Sequence, residues 1–341
     1  MSPKINSIAT TQFKVSATYY AGNFFLNFFR YLFHLLLLRL LTPDQYGEFL
    51  TYLSLMYLLA IPTGTISSLI TKVVSDFNGK KDIASINSFF YLITKKTYVI
   101  AFSVCIFLVA FSWPLSILFK AHQIAFVILG IGSLFALLQT TVNSYISGLQ
   151  KFVFQTILGF ANVLLTIGLA VALINLNFGP MGAVSAQLLA GLITTILGLV
   201  WIKKSIFPRS NKTITFNLNI KQYLNYSLFN ALGIMSLMSL DVLMVRVLLS
   251  EHNSGIYSSM SVLGRMIFFG MSPLSTLILP MASKRFSEGK NHSQVFKKLG
   301  LVSVLIGASA IGVFTLFPEI LVQTLSGSRF TESIALLPLF S

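Results

Sequence analysis

RLLTPDQYGEF, Arg39 to Phe49, returns far along the chain as RVLLSEHNSGIY, Arg246 to Tyr257. With one inserted residue the two align, placing Gly47 on Gly255 and Phe49 on Tyr257. Each copy closes an apolar run with an arginine, turns through a few polar residues and opens a second apolar run. About thirty residues further on, Phe77, Gly79 and Lys80 match Phe286, Gly289 and Lys290, so the likeness extends to a basic exit after that second run. Matched turns at matched places imply that the chain is built twice from one plan.

The flanking sequence says what is repeated. Of 341 residues, 55% are hydrophobic and 10% charged, and the mean hydropathy is +0.81, which excludes a soluble globular surface. Ten apolar runs are of a length to cross about 30 Å of hydrocarbon: 17–41, 49–70, 98–119, 125–146, 156–176, 183–202, 224–249, 256–282, 299–317, and one beginning near Ile334. The tenth meets Ser341 after eight residues, too few to span at 1.5 Å each, so the reading is of a chain that lacks its C-terminal end. The repeat makes runs 1 and 7 equivalent. Each half then has six spans, an even number, so both halves enter from the same side and are related by an axis along the membrane normal. The expected fold is therefore an all-α polytopic membrane protein of two pseudo-symmetric six-helix bundles. Residues 1–202 form the N-terminal bundle, 203–223 a cytoplasmic linker, and 224–341 an incomplete C-terminal bundle, giving about ten of twelve or more helices.

Charge supplies the orientation. With the N-terminus inside, inner segments hold 18 of the 24 Lys and Arg residues, outer loops hold only Lys120 and Arg329, and the spans or their outer ends hold Arg30, Arg39, Arg246 and Arg265. Such an asymmetry is the positive-inside pattern. Most of the net charge of +15 is thus a topology signal, and a residue of +3 stays within the spans once Asp241 is counted.

Several functions are disfavoured by what the loops can hold. The outer connections at 42–48, 120–124 and 250–255 are too short for a catalytic domain, and the inner ones read as charged helix extensions. No phosphate-binding loop, HExxH pattern or metal-ligand spacing among His34, His122, His252 and His292 is present in the sequence, and Cys105 is its only cysteine. The expectation is a protein with no catalytic residues, metal or cofactor and no nucleic-acid partner.

LRLLTPDQYGEF (Leu38 to Phe49), GLQKF (Gly148 to Phe152), Asp241 within span 7, SGIY (Ser254 to Tyr257) and the pair Leu279, Pro280 together resemble the polysaccharide biosynthesis or oligosaccharide flippase family. This is the Wzx-like branch of the multidrug/oligosaccharidyl-lipid/polysaccharide exporter superfamily. The resemblance implies two bundles facing each other as a V around a central cavity, with the second bundle cut short here. It implies translocation, by alternating access, of undecaprenyl-diphosphate-linked oligosaccharide across a bacterial inner membrane for O-antigen or capsule-type polysaccharide. Membrane lipids, a polysaccharide polymerase and chain-length proteins are the partners implied, with H+ or Na+ as the coupling ion. A cation-coupled multidrug antiporter of the same superfamily is the alternative, and a membrane-embedded glycan polymerase or ligase stands third.

Ionisable groups inside spans are costly and normally face a bundle interior, a partner or cargo. Arg30 and His34 lie one helical turn apart on span 1, whereas Asp241 and Arg265 lie at similar depth in spans 7 and 8. An Arg fork in a low-dielectric site recognises phosphate oxygens two at a time, so Arg30, His34 and Arg265 are the candidate cargo-binding set. Asp241, the one carboxylate placed within a span, is the candidate for coupling or for an ion pair with Arg265 or Arg30. Arg39 and Arg246, at outer span ends, are expected to snorkel to the interface. Pro62 with Gly64, Pro114 and Pro273 are expected to bend spans 2, 3 and 8. Asn23, Asn27, Gln139, Asn143, Gln155, Asn162 and Gln187 could line a hydrated path or join helices.

Overall fold

A computed structural model describes residues 3–206, 220–267 and 293–340. The proposed linker 203–223, the inner half of span 8 with Pro273, Leu279 and Pro280, and the basic residues from Lys284 to Lys290 fall wholly or largely outside them. The described residues are helical, with no strand among them. Helices α1 (Pro3–Leu40), α2 (Pro43–Leu59), α3 (Ile61–Gly79), α4 (Ile83–Ala110), α5 (Ser112–Leu118), α6 (Gln123–Gly148), α7 (Phe152–Leu173) and α8 (Gly179–Ile206) are followed by α9 (Ile220–Leu237), α10 (Leu240–Leu248), α11 (residues 251–267) and α12 (Ser293–Leu316). Among the described residues four stretches are long and apolar enough to cross a membrane, Ile83–Ala110, Gln123–Gly148, Phe152–Lys203 and Leu299–Leu316. Two bent pairs, α2 with α3 and the described part of α9 with α10, qualify as broken spans. The 52-residue stretch folds back at residues 174–178, where Asn177 (φ 66°) and Gly179 (φ 51°) take the left-handed conformation that reverses the chain. It therefore supplies two helices, as the fifth and sixth runs require.

The prolines act where expected. Pro62 has no N–H for the carbonyl four residues back, and the helix bends by 47° between α2 and α3. Pro114 breaks its helix at Phe111, beside Ala110, whose carbonyl its ring would strike. The third run is longer than its apolar part, because α4 starts at Ile83. Its cap is Asp82, which accepts from the Ser85 N–H at 3.1 Å and the Ser85 hydroxyl at 2.7 Å. The helix thus carries Lys95 and Lys96 beyond the apolar stretch, as an extension of the span.

The chain divides into two compact units: Met1–Gly22 with Glu48–Leu249, and Asn23–Gly47 with Ser250–Ser341. In the first, α6 is central and packs against α3, α4 and α8, while α7 lies along α8. Leu69, Ile70, Val73 and Val74 of α3 meet Ile86, Phe89, Phe90 and Ile93 of α4, and Val142, Tyr145 and Ile146 of α6 in one buried cluster. Gly148 lets α6 close on α3: a Cβ there would stand 2.6 Å from that of Val74. Gln139 and Asn162 both reach the Thr194 hydroxyl, at 3.4 and 3.3 Å, so these two amides join helices.

Cations finish the helix ends of this unit. Arg246 is 1% exposed; its Nε donates to the Phe119 carbonyl at 2.9 Å and its Nη2 to that of Lys120. In return Lys120 Nζ donates to the Leu249 carbonyl at 2.7 Å. Two helix C-termini, α5 and α10, are each capped by the other's cation, the end of the helix dipole that favours positive charge. Arg246 is therefore buried, rather than snorkelling to an interface as its sequence position suggested.

In the second unit the repeated turns meet. Thr42 and Gln45 cap α2 reciprocally, at 3.4 and 3.2 Å, and the Ser250 hydroxyl accepts from the Asn253 N–H at 3.3 Å to cap α11. Counting from each cap, Asp44 and His252 are equivalent, and so are Gly47 and Gly255. The structure brings both pairs into contact. Asp44 Oδ1 lies 3.4 Å from His252 Nδ1, and a Cβ at Gly47 would come within 2.9 Å of the Gly255 backbone. Residues 328–340, where a tenth helix was expected to begin, form short 3-10 turns with Phe330, Ser333 and Leu337 buried.

Candidate functional site

In the second unit α1 brings Arg30 and His34 to one face, one turn apart, because the helix continues unbroken to Leu40. Arg30 is exposed and its Nη1 stands 3.5 Å from Asn27 Oδ1. His34 Nδ1 lies 3.4 Å from the hydroxyl of Tyr46, a side chain fully buried against Phe330 with ring centroids 6.1 Å apart. That buried phenol fixes the imidazole on its outer side. Arg265, half-buried in α11, lies near enough to His34 for their charges to interact. The three residues named from the sequence as candidate cargo-binding groups thus come from two helices, α1 and α11. The anion-attracting groups of the set are its two guanidiniums, Arg30 and Arg265. One level further out, Arg39 donates to the Thr324 carbonyl, which places it on a helix end.

Asp241 belongs to the first unit. It is half-buried and sits in the first turn of α10, just past a 43° break in span 7. Ser239 stands at the break with φ −141°, its hydroxyl donating to the Met235 carbonyl. A carboxylate in the first turn of a half-helix is favoured by the dipole, and interrupted spans are where transporters build polar sites. The break was not foreseen, since it lacks proline and glycine. Its only trace is Ser236, Ser239 and Asp241 in succession, side chains that compete with the helical backbone for hydrogen bonds.

A second polar feature also escaped the sequence reading. Ser67, Ser68, Thr71, Lys72, Ser75 and Asp76 line a groove of about 510 Å³ along α3 in the first unit. Among the described residues no group of three or more His, Cys, Asp or Glu could hold a metal ion.

No protein-family model matches the chain, and no curated protein does. Solved structures do. An inward-facing multidrug resistance MATE family transporter of the MOP superfamily superposes with a TM-score of 0.70 at 12% identity, covering 92% of this chain and 75% of that one. The MATE multidrug transporter DinF-BH gives 0.66 at 16% identity over 93% and 74%. The eukaryotic MATE transporter AtDTX14 gives 0.59 at 12% identity over 97% and 79%. The chain is a multi-pass, all-helical membrane protein. Its fold is that of the MATE transporters, the architecture of two bundles expected from the repeat.

Proposed function

We propose that the protein is an exporter that moves undecaprenyl-diphosphate-linked oligosaccharide between the leaflets of a bacterial inner membrane by alternating access, with its N-terminus in the cytoplasm. What supports this reading is a guanidinium on each of two helices, Arg30 on α1 and Arg265 on α11, with His34 one turn from Arg30. A diphosphate presents two negative charges, and guanidinium groups bind such oxygens in a fork. Asp241 takes the role of coupling carboxylate, supported by its place in the first turn of a half-helix just past a break. Membrane lipids, a polysaccharide polymerase and chain-length proteins are the associated partners.

The second reading, a cation-coupled multidrug antiporter, is favoured by the names of the structural neighbours, two of which are multidrug transporters. Cationic drugs call for acidic residues, and the in-span balance of four arginines to one aspartate is against them. The test is deletion of the gene followed by analysis of lipid-linked intermediates. Repeat units accumulating on the cytoplasmic face, with loss of surface polysaccharide, are expected. Intact polysaccharide without accumulation refutes the exporter. In complementation, Arg30→Glu or Arg265→Glu should abolish rescue and Arg→Lys should be milder.

A further inference from the structure

Helix α3 has two faces of opposite chemistry. Leu69, Ile70, Val73 and Val74 are buried in the core of the first unit. Ser67, Ser68, Thr71, Lys72, Ser75 and Asp76 follow the same helical period on the other side and line the groove of about 510 Å³. That volume falls within the roughly 300–1,000 Å³ of small-molecule sites. The track begins at Ser67 inside the bent span and ends beside Gly79 and Lys80, at its basic end.

The hydroxyls are held in set directions. Thr71 Oγ1 donates to the Ser144 carbonyl at 3.3 Å, and Ser68 Oγ donates to the Gly64 carbonyl at 3.0 Å. The Ser144 hydroxyl lies 2.7 Å from that of Ser67 and stays within 2.6 Å of the Thr140 carbonyl. Because the protons of Ser68 and Thr71 go to carbonyls, those oxygens present lone pairs to the groove. Lys72 contributes donors and Asp76 further acceptors, with opposite charges one turn apart. A row of fixed acceptors with an adjoining donor suits a ligand that is rich in hydroxyls and carries no charge. Among the described residues no aromatic side chain lines the groove, so they offer no ring face for a lipophilic cation to stack on.

We propose that this groove is a carbohydrate-binding track which holds sugars of the cargo by hydrogen bonds. The inference rests on the exporter reading and names the chemistry of a different surface.

The test uses the full chain in nanodiscs with Cys105→Ala, and single cysteines introduced as Ser68→Cys, Ser75→Cys and, on the buried face, Val74→Cys. A water-soluble maleimide should label the first two and not the third. Farnesyl-diphosphate-linked N-acetylglucosamine should slow labelling at Ser68→Cys and Ser75→Cys at least about fivefold, while farnesyl diphosphate without sugar should not. Absence of labelling in the groove, or equal protection by both probes, overturns the proposal. The variant Ser68→Ala/Ser75→Ala, which leaves every core residue in place, should lower the export rate about tenfold in the complementation assay; export at the parental rate also overturns it. Failure of the exporter reading shows separately, as absence of accumulated repeat units in the deletion strain.

Discussion

Replacing Gly255 with alanine should weaken the protein more than any other glycine-to-alanine change along α2 and α11, and the geometry sets the order. A Cβ at Gly47 would stand 2.9 Å from the Cα and N of Gly255 and 3.0 Å from the Ser254 hydroxyl, where ordinary contacts begin near 3.4 Å. The two turns would have to part by about half an ångström, an overpacking cost of about 1–3 kcal/mol, partly offset by about 1 kcal/mol of helix propensity. Gly47→Ala should therefore lose about 1–2 kcal/mol. At Gly255 the new Cβ would fall on the backbone carbonyl of Pro43, with Pro43 Cα at 3.1 Å, and a rigid turn has no side chain to swing aside. The loss should be about 3 kcal/mol or more. Gly307→Ala in α12 is the control: nothing stands within 4 Å, and a gain of about 0.5–1 kcal/mol is expected from the unfolded state. The double variant Gly47→Ala/Gly255→Ala should cost less than the sum, because one substitution has already separated the turns. Thermal unfolding of the purified chain in detergent reads the series, at roughly 2–4 °C per kcal/mol. A midpoint for Gly255→Ala within about 1 °C of the parent, or additive losses in the double variant, would refute the idea that the two glycines exist to let the repeated turns touch.

Arg246→Ala removes two charge-assisted hydrogen bonds and leaves the carbonyls of Phe119 and Lys120 without their donor, so about 3 kcal/mol should be lost. The exposed Arg39→Ala should lose about 1 kcal/mol or less, and equal shifts in unfolding midpoint would contradict the difference in burial. His252→Gln alters the contacts with Asp44 and Glu332 among side chains that are half exposed, and should change stability by no more than about 1 kcal/mol. Pro62→Ala restores an N–H to the bend. If Pro62 alone causes the 47° angle, spin labels at Gln45 and Asn78 should separate by roughly 4 Å more than in the parent, and an unchanged distance would assign the bend to packing.

The features legible in the sequence are those with local causes. Pro62 and Pro114 act through a missing N–H, and the structure bends or breaks the helix beside each. The repeat was legible because tight turns demand particular residues, and the caps Thr42 and Ser250 stand at its matched positions. Arg30 and His34 could be placed on one face from their spacing, whereas the nearness of Arg265 to His34 depends on how α1 and α11 pack, which no spacing encodes. Burial of Arg246 was misread because its partners are backbone carbonyls over a hundred residues away, and carbonyls carry no sequence label. The break at Ser239 escaped notice because serine interrupts a helix only when the surroundings accept the bend. The groove on α3 was passed over since hydropathy averages serine and threonine into the background.

The reciprocal caps at Arg246 and Lys120 also bear on the order of assembly. The carbonyl of Phe119 is synthesised 127 residues before the guanidinium that satisfies it. At about 5–20 residues per second, translation alone separates them by roughly 6–25 s. During that interval the turn after α5 is without its donor, while α6, α7 and α8 are being added to the same unit. The first unit is thus finished from its C-terminal side, when α10 arrives, and the turn around Lys120 is the last part of it to become rigid.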